Sequence, residues 1–275
     1  DVLIYPELGM AAVTFALAAL RLAPLQCAGW GHPVTTGLPA IDIFLSSACM
    51  EPEDGTSHYS ERLMTLPGIG TRYAAPVARS RERAQIGLPD VPLFLCPQSL
   101  FKIHPDNDVL FARVLDGVPA ARLVFYEGRD PALTAKFKTR LLRAGIGPER
   151  ILMLAQRPHE DFLAVNAACD VMLDTLRWSG GNTSLDAIAS GLPIVTLPGR
   201  LMRGRQSAGM LQLMDLPELV AKDEDDYARK AAAIATDRGY RGELSRAIAA
   251  RRTRIFDDAA PMTALAEFLA QRGDG

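Results

Sequence analysis

The fold of this chain is decided by the stretch Val171-Met172-Leu173-Asp174-Thr175-Leu176-Arg177-Trp178-Ser179-Gly180-Gly181-Asn182-Thr183-Ser184-Leu185-Asp186. An apolar strand pattern runs into a loop with two adjacent glycines, and a helix pattern opens directly after them. Glycines let backbone N–H groups approach a ligand closely, and the first turn of a helix leaves such groups unpaired at its positive end. The stretch therefore predicts a phosphate-binding turn, with Asp186 within reach of a ribose hydroxyl.

The glycine spacing is a weak signal on its own. It matches neither the Walker loop nor the dinucleotide fingerprint. Gly180 and Gly181 alone are more often only a tight strand-to-helix turn. The phosphate interpretation therefore depends on the rest of the chain.

Composition indicates a globular protein with an ordinary core. The 275 residues allow one large or two smaller domains, and 48% are apolar. A net charge of −2 does not support a nucleic-acid partner. The four cysteines and four histidines are scattered, with no metal-ligand spacing, so we expect no metal. Free buried thiols predict a reducing, cytoplasmic location.

One apolar stretch, Met10–Leu20, could in principle be a membrane-spanning segment or a signal peptide. It is too short to span a bilayer, Arg21 follows it, and no basic leader precedes it. The stretch therefore predicts a buried helix, and no membrane partner is expected. Because the first residue is Asp, we expect the sequence to be a piece of a longer chain.

Short apolar runs alternate with helical patterns along the sequence. Strands are predicted at Asp1–Tyr5, Leu25–Trp30, Ile41–Ser46, Pro92–Cys96, Leu123–Tyr126, Ile151–Leu154, Val171–Leu173 and Ile194–Thr196, with Glu218–Ala221 as a candidate edge strand. Helices are predicted at Met10–Leu20, Asp106–Leu115, Pro131–Ala144, Glu160–Ala168, Thr183–Ser190 and Arg203–Met214, in the tail Glu224–Gln271, and as a turn at Ser60–Thr65. This alternation predicts an α/β fold with doubly wound parallel sheets.

The segment Thr71–Asp90 interrupts that alternation. It has no apolar periodicity and carries the charge run Arg79-Ser80-Arg81-Glu82-Arg83, which is typical of a solvated face. We therefore predict an interdomain crossing here. It separates the end of a first Rossmann-like domain, residues 1–78, from a second such domain with C-terminal helices, residues 79–275.

Three loops follow strands of the second domain: Pro97–Pro105, Ala155–Glu160 and Thr175–Thr183. Ligands of such sheets bind at the carboxyl ends of the strands, so these loops are expected to surround one nucleotide. In the first loop Lys102 is either a charge for a diphosphate or an exposed lysine. In the second, His159 either contacts a base or only opens a helix with acids in its first turn.

Two further groups have open alternatives. His32 follows a strand in the first domain and is either a general base or, more commonly for a lone histidine, a packed or solvent-facing side chain. The arginines Arg200, Arg203 and Arg205 either meet the acceptor or the phosphates, or are solvated or ion-paired.

Five motifs in one order make the pattern specific. They are Gly31-His32-Pro33-Val34-Thr35-Thr36-Gly37, Gln98-Ser99-Leu100-Phe101-Lys102, His159-Glu160-Asp161-Phe162, Gly180-Gly181-Asn182-Thr183 and Leu197-Pro198-Gly199. This series resembles the catalytic region of the O-linked N-acetylglucosamine transferase family, including bacterial members of SPINDLY type. The similarity runs from Asp1 to about Asp237.

The resemblance implies a GT-B glycosyltransferase with two Rossmann-like domains. It implies inverting, metal-independent transfer from a UDP-sugar, such as UDP-N-acetylglucosamine, to protein Ser or Thr hydroxyls. The residue matches that it carries over are Lys102 at the phosphates, Gly180, Gly181, Asn182 and Thr183 in the diphosphate loop, Asp186 at the ribose, Gly31 and Pro33 near the sugar, and, more loosely, Arg157 and His159 at the uracil. Ser99 is a further donor-binding candidate. Lys102 and His32 are the catalytic candidates.

The resemblance also identifies departures and rivals. Family members carry an upstream His-Pro motif and tetratricopeptide repeats, which we expect in the parent chain. Without them, a nucleotide-sugar-binding remnant without activity is one alternative. A UDP-sugar epimerase of GT-B fold is another, although the Gly31–Gly37 motif fits a transferase better.

Overall fold

Two parallel β-sheets organise the molecule. The computed structural model describes residues 1–273. Among them the first sheet has the order β1-β2-β3-β4, built from β1 (Val2–Tyr5), β2 (Leu25–Gly29), β3 (Ile43–Ser47) and β4 (Arg62–Leu66). Helix α1 (Ala12–Ala18) connects β1 to β2. Every pairing in this sheet is parallel, as short apolar runs joined by crossovers predict.

The second sheet has the order β7-β6-β5-β8-β9. Its strands are β5 (Leu93–Leu95), β6 (Arg122–Tyr126), β7 (Ile151–Leu154), β8 (Val171–Leu173) and β9 (Ile194–Val195). The strand order reverses between β5 and β8, and a crevice opens outside the carboxyl ends of strands at such a switch point. The loops that follow β5 and β8 therefore meet there.

Helices connect the strands of the second sheet and continue beyond it. They are α2 (Asp106–Asp116), α3 (Pro131–Arg143), α4 (His159–Ala168), α5 (Asn182–Ala189), α6 (Gln206–Leu213), α7 (Glu224–Thr236), α8 (Arg238–Arg251) and α9 (Ala260–Gly273). Helix α9 returns to the first sheet, where Leu265 and Leu269 pack beside the buried Ile43 and Leu66. The predicted α/β class with parallel sheets is confirmed.

The helical turn predicted at Ser60–Thr65 is wrong. This segment forms strand β4, which pairs with β3 from Arg62 to Leu66. Sequence alone does not show that α9 contacts β4 and that Leu66 is buried beneath it. The candidate strand Glu218–Ala221 reduces to a single bridge between Thr196 and Val220.

Two expectations about helices also need correction. Helix α1 is not buried: of its residues only Ala18 is, and Val13 is 74% exposed. The helix predicted from Arg203 begins at Gln206, after a short 3-10 turn at Met202–Gly204. Glycines at Gly199 and Gly204 approach each other and hold that turn in place, since Gly199 N–H donates to the Gly204 carbonyl at 2.7 Å.

The charge run of the crossing segment is not simply solvated. Arg81 forms ion pairs with Glu160 at 3.0 Å and Asp161 at 2.6 Å, both in the first turn of α4. Arg83 pairs with the buried Asp170 at 2.8 Å and donates to two backbone carbonyls. These contacts attach the crossing segment to the second sheet. The domain boundary after residue 78 remains a prediction.

Candidate functional site

A cavity of about 500 Å³ lies between the carboxyl ends of the two sheets. We call it the cleft cavity; its lining residues are Pro6, Glu7, Met10, Trp30, Gly31, Pro33, Gln98, Ser99, Lys102, Trp178, Ser179, Gly181, Asn182, Thr183 and Gln206. Seven residues singled out from the sequence meet there: Gly31, Pro33, Ser99, Lys102, Gly181, Asn182 and Thr183. Two of the three loops predicted to surround one nucleotide, those after β5 and β8, thus meet at this cavity, and the third, Ala155–Glu160, contributes none of its lining residues.

The glycine loop is held from below by Asp174, which sequence reasoning did not select. Its carboxylate is buried and accepts from Ser179 Oγ at 2.6 Å, Gly180 N at 2.8 Å and Thr196 Oγ1 at 2.7 Å. Burial raises the pKa of Asp174, and these hydrogen bonds oppose that rise. The amide of Gly180 is therefore used inside the protein, and only the rest of the loop can serve a ligand.

The start of α5 provides free donors. The first residues of a helix have no carbonyl partner within the helix. The amides of Gly181, Asn182 and Thr183 have no protein acceptor in the described part of the chain. Because these residues line the cleft cavity, their N–H groups and the positive end of α5 are available to an anion.

Lys102 is the cation of the cleft cavity. It ends the 3-10 turn Leu100–Lys102, and its Nζ lies 5.0 Å from the centroid of the Trp178 ring. Burial lowers the pKa of Lys102 below that of an exposed lysine. Within residues 1–273 its ammonium forms no ion pair, so it is not neutralised by the protein.

The loop of the first sheet is held by Glu61. Thr35 Oγ1 donates to this carboxylate at 2.7 Å, and the Thr36 amide donates at 2.7 Å. The hydrogen bonds lower the pKa of Glu61 against the opposing effect of its burial. Gly31 packs against Pro6, the residue that follows β1, and a Cβ added at Gly31 would lie 2.6 Å from the Pro6 carbonyl oxygen. Glu61 explains the two threonines of the motif, which the sequence did not.

His32 stands at the edge of the same site. Its ring lies 5.6 Å from that of Trp178, and its Nδ1 is buried without a hydrogen-bond partner. Burial lowers the pKa of His32, and the charges of Lys102 and Arg203 lower it further. The imidazole is therefore neutral near pH 7 and can accept a proton.

The ribose and base candidates lie outside the cleft cavity. Asp186 is buried in α5, and its Oδ1 is 2.9 Å from His159 Nε2. Arg157 donates to the Ile86 carbonyl at 3.2 Å, which ties it to the crossing segment. The structure thus brings Asp186 and His159 together, and it gives Arg157 a structural contact.

A second cavity of about 530 Å³ adjoins the first and shares Gln98, Ser99 and Lys102 with it. Its aromatic wall is Tyr126 and Phe162, whose ring centroids are 5.1 Å apart. Sequence reasoning quoted Phe162 in a motif without giving it a role. Its position one turn into α4, after strand β7, was the signal that could have found it.

Two findings bear on other classes of function. Among residues 1–273, no group of three or more His, Cys, Asp or Glu side chains is placed to hold a metal ion. Across the same residues, no helix combines the length and apolar character needed to cross a bilayer.

The family model described as Glycosyl transferase family 41 matches residues 74–259. Two curated relatives are named probable UDP-N-acetylglucosamine--peptide N-acetylglucosaminyltransferase SPINDLY. The protein from Solanum lycopersicum is 29% identical over 227 residues, and that from Oryza sativa subsp. japonica is 30% identical over 223. Each alignment covers 80% of this chain and 24% of the relative, so the chain spans about a quarter of their length.

A solved structure gives the same result in three dimensions. The O-GlcNAc transferase of Thermobaculum terrenum, in a lysine-to-methionine variant, superposes with a TM-score of 0.82 at 29% identity. The match covers 99% of this chain and 52% of that one. The resemblance inferred from five motifs is therefore confirmed, over more of the chain than the family model alone covers.

Proposed function

This chain belongs to glycosyl transferase family 41, and from that premise we propose that it is the donor-binding catalytic region of a protein O-N-acetylglucosaminyltransferase. The donor is a UDP-sugar, UDP-N-acetylglucosamine by the names of its relatives, and the acceptor is a Ser or Thr hydroxyl of a protein. The parent chain carries tetratricopeptide repeats and acts in the cytoplasm.

One observation carries this proposal: the cleft cavity combines Lys102 with the free amides of Gly181, Asn182 and Thr183. A lysine without an internal ion pair and three helix-start amides suit a diphosphate. Gly31 and Pro33 face the same cavity from the other sheet, where the sugar would lie. No metal is invoked, since the lysine and the amides supply the positive charge.

The nucleoside is proposed to occupy the adjoining cavity. The rings of Phe162 and Tyr126 offer an apolar wall for a base. Asp186 lies one turn into α5 and does not line this cavity, so its assignment to a ribose hydroxyl rests on the motif that it shares with the family. His159 orients the Asp186 carboxylate through their 2.9 Å contact. Ser99 and Gln98 belong to both cavities and would contact the groups between base and diphosphate.

The chemical step follows from this placement. The acceptor oxygen attacks the anomeric carbon in line as the bond to the diphosphate oxygen breaks, which inverts the configuration. The acceptor proton passes to a base, for which His32 in its neutral form is the candidate. Negative charge grows on the departing UDP. Lys102 and the amides are positioned to stabilise it, a contribution of about 10²–10³ in rate for one preorganised donor.

The test is sugar transfer by the full-length parent with Lys102→Met. We expect turnover at saturating UDP-N-acetylglucosamine to fall by about 10²–10³, because the charge opposite the leaving group is lost. Lys138→Met is the matched control, since Lys138 is an exposed lysine of α3 outside both cavities. Retention of most wild-type turnover by the Lys102 variant would refute the role.

The product decides between the proposed reaction and its rivals. Transfer yields a glycosylated protein and free UDP, whereas an epimerase yields a new sugar and no glycosylated acceptor. A remnant without activity would bind UDP in a calorimetric titration but release no product from the donor. Transfer to a protein hydroxyl by the parent chain is the expected result.

A further inference from the structure

A third cavity adjoins the other two, and Met10 and Lys102 line all three. Its volume is about 660 Å³, and it shares Met10, Lys102 and Trp178 with the cleft cavity. We call it the outer cavity. Because an in-line attack needs the acceptor to enter opposite the leaving diphosphate, a cavity that adjoins the donor site and contains His32 is where the acceptor would lie.

The side chains around the outer cavity are strongly cationic. Its described lining includes the basic side chains Lys102, Arg140, Arg177 and Arg203, and no Asp or Glu. Two of these arginines already form ion pairs with carboxylates of the protein. Arg140 pairs with Asp108 at 2.7 Å, and Arg177 donates to Asp106 at 2.6 Å.

Arg203 is different from these paired arginines. Its guanidinium carbon lies 5.8 Å from the centroid of the Trp178 ring, and it has no carboxylate partner in the described part of the chain. The side chain does not line the cleft cavity, so its charge is not directed at the donor. Once a diphosphate has neutralised Lys102, the charge of Arg203 is what remains for a second ligand.

The mouth of the outer cavity is also apolar. Phe101 is 73% exposed and Met10 is 58% exposed, and both line the cavity. Exposed apolar side chains next to an unpaired arginine suit an extended peptide that brings both carbon surface and a carboxylate. A small inorganic anion would make no apolar contact with Phe101 and Met10.

We propose that the outer cavity binds an acidic peptide, with Arg203 pairing with a Glu or Asp side chain that flanks the modified hydroxyl. This rests on the proposed function and names the acceptor class for the same site. Arg203 is then a specificity-determining residue: its guanidinium lies over the Trp178 ring and can form two parallel hydrogen bonds to a carboxylate.

Binding of three short peptides with one central Ser tests this inference at low salt, where charge pairing is not screened. The peptides differ only in their flanking residues, which are Glu, Gln or Lys, and fluorescence anisotropy gives Kd for the full-length parent. We expect the Glu peptide to bind about tenfold more tightly than the Gln peptide, the scale of a charge-assisted hydrogen bond.

Variants attribute that preference to one side chain. Arg203→Gln is expected to remove the difference between the Glu and Gln peptides, and Arg203→Glu to shift the preference to the Lys peptide. A merely structural arginine would not invert a charge preference. Arg246→Gln, at an exposed arginine of α8 outside this cavity, is the matched control and should keep the wild-type order.

Equal binding of the Glu and Gln peptides to the wild type, or an unchanged preference in Arg203→Gln, would overturn the inference. A UDP titration of the same samples reports on the proposed function separately. Absence of UDP binding together with a preference for the Glu peptide that depends on Arg203 would refute the transferase but not the peptide site. Normal UDP binding without that preference would refute the peptide site but not the transferase.

Discussion

The two loops that face each other across the cleft cavity are held in the same way but leave different groups free. In the second sheet Asp174 accepts from Ser179, Gly180 and Thr196. In the first, Glu61 plays the same part for Thr35 and Thr36. Each loop is thus fixed by one buried carboxylate that hydroxyls and amides satisfy.

What remains for a ligand differs between them. The second loop, together with Lys102, presents unpaired N–H groups and a positive charge. The first loop presents Pro33, Trp30 and the neutral His32. The second sheet therefore supplies positive charge, whereas the first supplies shape, a proton acceptor and the carboxylate of Glu7. Substitutions on the two sides should therefore have separable effects on UDP and on the sugar.

The largest effect is expected from Asp174→Ala. The substitution leaves Thr196 Oγ1 and the Gly180 amide without their buried acceptor, at about 1–3 kcal/mol for each of these two groups, and Ser179 Oγ keeps only Ser207 Oγ as an acceptor. We expect a loss of about 3 kcal/mol or more in the free energy of unfolding, with weaker UDP binding. Urea unfolding and calorimetry measure both. A loss below about 1 kcal/mol would mean that the loop does not depend on this carboxylate.

Gly31→Ala is expected to have the next largest effect. A Cβ at Gly31 would lie 2.6 Å from the Pro6 carbonyl oxygen, so the loop or β1's exit must move. Overpacking of this kind costs about 1–3 kcal/mol. Gly181→Ala is the matched comparison, because its Cβ would be 3.5 Å from Gln206, an ordinary contact. Thermal unfolding should therefore distinguish the two glycines, and equal shifts in Tm would contradict the comparison.

Features that depend on residues close together in the sequence were predicted, whereas features that depend on residues far apart in the sequence were not. The turn from β8 to α5 was predicted because glycines and a helix start are local features, and the order of five motifs identified the family. The roles of Asp174 and Glu61 were not predicted, because hydrogen-bond partners of each carboxylate lie more than twenty residues away along the chain. The strand at Arg62–Leu66 was missed for the same reason: β3 and α9 define it from distant parts of the chain.

The sequence pattern also failed to predict which side chains are buried. The apolar α1 predicts a buried helix, yet its side chains are mostly exposed among the described residues. Conversely, Arg81 and Arg83 have the pattern of a solvated run, but acids on α4 and before β8 pair with them. Both outcomes depend on which elements pack nearby, and hydropathy of one segment carries no information about that.

Glu61→Gln should produce a smaller effect that is confined to the first loop. The amide keeps one acceptor for Thr35 and Thr36 but loses the charge on their hydrogen bonds, about 1 kcal/mol of unfolding free energy. We expect Kd for UDP to stay within about twofold and Kd for UDP-N-acetylglucosamine to rise further, because this loop faces the sugar. Parallel calorimetric titrations give both constants. A larger loss for UDP than for the UDP-sugar would invert the proposed division between the sheets.

The smallest effect is a pH dependence of donor binding that belongs to the second sheet alone. The pKa of Lys102 is lowered by burial, so this lysine loses its proton at a lower pH than an exposed one. Since only the charged form attracts a diphosphate, UDP affinity should be constant near pH 7 and fall as the pH rises through that pKa. His32 adds no step on the alkaline side, because its pKa is lowered and it is already neutral there. Calorimetry from neutral to alkaline pH on wild type and Lys102→Met measures the dependence. The variant binds UDP more weakly and should lack the decline, whereas the same decline in both proteins would assign it to another group and remove Lys102 from the diphosphate.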